Sequence, residues 1–147
     1  MRFALPLFLL FTACSPAVRL KMKERQDTGT LAAAVNDYWL KVRWNDPGGA
    51  AAFLETPEEK LKLGRLLSDP QIRMTDVSVV QVVVGDELEE ARLPETREGV
   101  VVVRIEGYDV RRGRLDVVTL EQHWVRSKPA SWKVDADQSP LGADRPW

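Results

Sequence analysis

The chain has 147 residues, 44% of them hydrophobic and 29% charged, with a formal net charge of −1. That length holds one domain with a core of useful size. The charge balance excludes electrostatic capture of nucleic acid and a polybasic patch for anionic lipid. One histidine and one cysteine are too few for a zinc site, and the sequence has no calcium loop, so neither metal nor cofactor is expected.

Taken from the first residue, Arg2 precedes an apolar run from Phe3 to Ala13. A span of the hydrocarbon core needs roughly 20 apolar residues, and this run stops well short of that. Its length fits the hydrophobic region of a secretory signal peptide, 1–13. The stretch Phe11-Thr12-Ala13-Cys14 resembles a bacterial lipobox, with Phe11 where a Leu is usual. The resemblance implies cleavage before Cys14 and acylation of that cysteine, leaving the protein tied to a membrane through lipidated Cys14. It also explains a lone cysteine in an exported chain, where cysteines ordinarily pair. Ser15, rather than Asp, after the cysteine implies sorting to the outer membrane, with the domain facing the periplasm.

Residues 14–29 read as the lipidated N-terminus and a tether, whose mixed-charge second half has room for a helical turn or two before Gly29 interrupts it. Thr30 is placed to cap an amphipathic helix from Leu31 to about Asn45, whose buried stripe is Leu31, Ala34, Val35, Tyr38 and Val42. Asp46 and Pro47 then start a short helix reaching Leu54. Thr56-Pro57-Glu58-Glu59 is a capping box with proline at its first helical position. The helix it opens carries Leu61, Leu63, Leu66 and Leu67, and Ser68-Asp69-Pro70 closes it.

Beyond Pro70 the composition turns to Val, Ile and Thr. Strands are expected over Ile72–Val84, Gly99–Val110 and Arg114–Arg126, with a shorter one over Ser131–Asp135. Arg111-Arg112-Gly113 and Lys128-Pro129-Ala130 form the turns between them. Asp86 to Glu98 is an acidic loop, or a bulged edge strand around Ala91–Leu93. Three helices followed by hairpin-linked strands specify an α+β domain, helices packed on a curved antiparallel sheet.

This order of elements resembles the NTF2-like superfamily, also called SnoaL-like or ketosteroid-isomerase-like. The residues carrying the resemblance are Val35–Leu40 in the first helix, Gly49–Leu54 in the second and the final hairpin Glu121–Val134 with Trp132. It covers about Thr30 to Ala136, giving a domain over 30–137 and a tail over 138–147. The family implies a cone in which the sheet wraps the first helix around a packed or hollow interior. Enzyme members place an acidic base and hydrogen-bond donors inside; many others are binding or assembly modules.

The candidates for chemistry are few. On the strand Arg114–Arg126, Glu121 and His123 share one face, where they form either a base with its orienting partner or an exposed polar pair at a strand end. Both faces carry apolar residues, so alternation alone does not orient the strand. Tyr38 and Tyr108 are the hydrogen-bond donors a hollow cone would use. Asp37 and Asp109 lie off the apolar stripe and beside a turn, too solvated for a base near neutral pH. Trp39 and Trp124 are core candidates, Trp132 covers the open end, Trp44 lies near a helix end and Trp147 ends the chain. With no serine elbow or phosphate loop, the reading favoured is a non-enzymatic, lipid-anchored envelope protein that binds or assembles with an envelope partner. The alternative is a small-molecule binder or isomerase/cyclase-like enzyme using the cone.

Overall fold

The computed structural model describes residues 16–68, 72–85, 96–127 and 131–135. The signal segment, Cys14, the Ala91–Leu93 stretch, the Lys128–Ala130 turn, and the tail with Trp147 lie outside the described residues. Three helices, α1 (Pro16–Arg43), α2 (Pro47–Ala51) and α3 (Pro57–Leu67), precede four strands, β1 (Ile72–Val84), β2 (Thr96–Asp109), β3 (Arg114–Ser127) and β4 (Lys133–Val134). The strands form one antiparallel sheet in the order β1-β2-β3-β4, so the α+β class expected from the sequence holds.

The first helix departs from expectation. It starts at Pro16 and runs through Gly29 without a break, so residues 16–29 are helical. Thr30 is not its cap: the Thr30 hydroxyl donates to the Asp27 carbonyl at 2.9 Å, three residues back. A mid-helix glycine costs about 1 kcal/mol, and tertiary contacts on either side of it offset that cost. Asp27, 9% exposed in its side chain, meets Arg126 at 2.5 Å and Arg97 at 3.6 Å. The Trp132 indole N–H donates to Thr30 Oγ1 at 3.1 Å, and the Arg126 guanidinium lies 4.8 Å from the Trp132 ring centre.

The other helix signals are obeyed closely. Asp46 caps α2 by accepting from the Gly49 amide at 2.9 Å, although the helix stops at Ala51 rather than Leu54. Asn45, between α1 and α2, takes a φ of 56°, a left-handed conformation that asparagine tolerates. In α3 the capping box is complete: Thr56 Oγ1 accepts from the Glu59 amide, and Glu59 Oε2 accepts from the Thr56 amide at 3.0 Å.

β2 begins at Thr96, three residues ahead of the expected Gly99, because Thr96, Arg97 and Glu98 already pair with Ser127, Arg126 and Val125. The β2–β3 turn is tied by Asp109, whose Oδ1 accepts from the amides of Arg111 and Arg112, and is completed by Gly113 at φ 62°. β1 carries two register shifts, at Met74/Asp76 and Val79/Gln81, and such bulges bend and twist a strand.

The core lies between α1 and one face of the sheet. Leu31, Val35, Tyr38, Trp39 and Val42 pack with Val101, Val103, Ile105, Leu120 and Trp124; each buried aliphatic side chain contributes about 1.5–3 kcal/mol. Leu31 lies so close to Gly99 that a Cβ there would collide with Leu31 Cδ2. At the opposite end of α1, Arg43 pairs with Asp76 of β1 at 3.6 Å. The helix therefore crosses the length of the sheet.

Candidate functional site

Burial settles which face of β3 is inward. Leu120, Gln122 and Trp124 are buried, while Glu121 and Thr119 are exposed and His123 is part-exposed. The cross-strand partners agree: Gln122 stands opposite Val101 and Trp124 opposite Gly99, all on the helix-covered side. Glu121 and His123 stand opposite Val102 and Val100 on the other face. They do meet, with His123 Nε2 3.4 Å from Glu121 Oε1. Glu121 is 62% exposed in its side chain, so nothing desolvates it toward the work of a general base.

The remaining candidates are dispersed. Tyr108 is 40% exposed on the outer face, opposite Leu115. Asp37 pairs with Lys41 at 2.6 Å on the solvated side of α1, and Asp109 is engaged in the hairpin turn. Only Tyr38 faces inward. Its ring meets Trp39, Phe53 and Trp124 edge-on at centroid distances of 5.3, 5.8 and 5.7 Å, and Phe53 meets Trp124 at 6.1 Å. Such edge-to-face aromatic pairs are favourable, and here they join α1 to the inward face of β3.

Inside this aromatic cluster sits Gln122, fully buried, which sequence reasoning did not single out. The Trp39 indole N–H donates to Gln122 Oε1 at 2.9 Å, giving both buried polar groups one partner, as burial requires. Gln122 Nε2, Trp124 Nε1 and the Tyr38 hydroxyl are buried and have no partner among the described residues. Burial pushes the Tyr38 phenol well above its ordinary pKa, because no counter-charge offsets the lost hydration. The only sequence signal was a polar residue alternating with Leu120 and Trp124, and its meaning depended on knowing which face is inward.

The polar cluster at the other end of the core is structural. Asp27, Arg97, Arg126, Thr30 and Trp132 latch α1 to the ends of β2 and β3. Among the described residues no group of three His, Cys, Asp or Glu side chains could hold a metal ion, and no helix is long and apolar enough to cross a membrane. The outer surface carries exposed apolar side chains: Val80, Tyr108, Val110, Leu115 and Val117 around the sheet, and Leu40, Trp44 and Leu61 on the helices. Trp44, near the end of α1, is 73% exposed. No protein-family profile matches this chain, and no curated protein matches it in sequence.

Proposed function

We propose that this is a lipid-anchored protein of the bacterial envelope, held through Cys14, whose NTF2-like domain works by binding or assembly rather than by catalysis. The observation that carries this reading is the inverted placement of its groups. The helix-covered side of the sheet, where the NTF2-like resemblance would put chemistry, holds the packed rings of Tyr38, Trp39, Phe53 and Trp124. The polar candidates Glu121 and His123, and exposed Tyr108, Leu115 and Val117, lie on the outside. A domain arranged in this way acts through its surface. The lipobox-like Phe11–Cys14 supports lipid attachment, Ser15 after it supports the outer membrane with the domain in the periplasm, and two or more acyl chains give stable anchoring.

Two experiments test the two halves of the reading. Cys14→Ser is expected to move the protein from the membrane to the soluble fraction; unchanged membrane association removes the lipid anchor. Crosslinking of the full-length protein in intact cells, followed by detergent extraction, is expected to recover a defined envelope partner. Recovery of the protein alone, at several crosslinker lengths, removes the assembly role.

A further inference from the structure

β3 is 14 residues long, yet among the described residues it pairs on the side away from β2 only through Trp124 and Val125, which face Val134 and Lys133 of β4. The Asp135 amide adds one more bond, donating to the His123 carbonyl at 2.8 Å. In an antiparallel ladder, alternate residues turn both backbone groups to the same side. The His123 carbonyl faces the β4 side, so Leu115, Val117, Thr119 and Glu121 direct their amides and carbonyls to that side as well. Among the described residues no strand meets them there. The side chains of Leu115, Val117 and Glu121, which flank this edge, are 52%, 50% and 62% exposed. A long, flat, partly apolar edge is a template for strand pairing.

We propose that this edge of β3, from Leu115 to Glu121, receives an extended segment of a partner protein as an added antiparallel strand. The proposal rests on the surface-binding reading above and names the chemistry of its partner. Side chains of an added strand stand opposite those of β3 in pairs two residues apart. The segment therefore carries a basic residue opposite Glu121, and apolar β-branched or leucine residues opposite Val117 and Leu115. The chain's own continuation is poorly matched to this edge. The register that sets Asp135 opposite His123 would set Asp137 against Glu121, and like charges directly opposite each other are destabilising.

The probe is the acetylated, amidated peptide Lys-Thr-Thr-Thr-Val-Thr-Leu, added at about 1 mM to the full-length protein in detergent micelles. Binding is expected to slow hydrogen exchange at the Val117 and Thr119 amides and to leave Val118 and Leu120, already paired with β2, unchanged. Thr119→Pro, which removes only an edge-facing amide, is expected to weaken binding about tenfold. Glu121→Lys is expected to weaken it about threefold and to transfer the preference to the same peptide beginning with Glu. Unchanged exchange at Val117 and Thr119 overturns the proposal, as does equal binding of both peptides to Glu121→Lys. Protection present without peptide and lost on deleting residues 136–147 assigns the edge to the chain's own tail, and protection that grows with protein concentration assigns it to a second copy; either overturns the proposal. A partner crosslinked elsewhere on the surface leaves the binding role standing while this edge fails.

Discussion

Tyr38 and Gln122 show what one polar atom costs or contributes inside a packed core. The Tyr38 hydroxyl is buried with no partner among the described residues, so Tyr38→Phe keeps the aromatic contacts and removes an unsatisfied group. Stability in urea is expected to hold or rise, by up to about 1 kcal/mol; a loss of that size would mean the hydroxyl has a partner. The same residue sets a pH dependence. Its folded pKa is raised by burial, so the neutral phenol favours the folded state. That contribution is complete below the ordinary tyrosine value of about 10 and is lost as the pH rises above it, where only the unfolded chain ionises readily. In a Tyr108→Phe variant, tyrosinate absorbance is expected to appear together with unfolding and not before. The Asp27–Arg126 pair, only 9% and 17% exposed in its side chains, is the second residue-scale test. Removing Asp27 leaves the Arg126 guanidinium largely desolvated without this carboxylate, whereas removing Arg126 leaves Asp27 only Arg97 at 3.6 Å; a double-mutant cycle is expected to return a coupling above about 1 kcal/mol.

Two glycines separate local preference from packing at the scale of elements. Gly29 lies inside α1 with no atom within 4 Å of an added Cβ, so Gly29→Ala is expected to stabilise by about 0.5–1 kcal/mol. Gly99 lies on β2 against Leu31 and 3.2 Å, at its Cβ position, from the Val83 carbonyl. Gly99→Ala is expected to destabilise by about 1–3 kcal/mol, and thermal melting of the two variants distinguishes the signs. These positions also mark what the sequence made legible. The Thr56–Glu59 box, the Asp46 cap and the Leu31–Val42 stripe depend on residues three or four apart, so their meaning is complete within one turn of chain. Helix 16–29 depends on Arg97 and Arg126, about 70 to 100 residues away, and no local pattern announces that. The two faces of β3 were indistinguishable for a related reason: Gln122 interrupts the inward face with a polar group whose partner, Trp39, comes from α1.

For the whole molecule, the continuity of α1 changes what Cys14 could attach. A flexible leash over residues 14–26 would let the domain wander over roughly 20 Å. A helix that begins at Pro16 and is latched to the sheet at Asp27 instead projects as a rod of about 16 Å. With Cys14 lipidated, height above the bilayer and azimuth around the rod become linked through helical phase. One residue inserted between Pro16 and Asp27 raises the domain by only about 1.5 Å but turns it by about 100°, and four residues bring it to about 40° past its first bearing. In the lipid-anchored protein proposed above, the bearing of the β3 edge relative to Pro16 is thus set by the number of residues in that first stretch of helix.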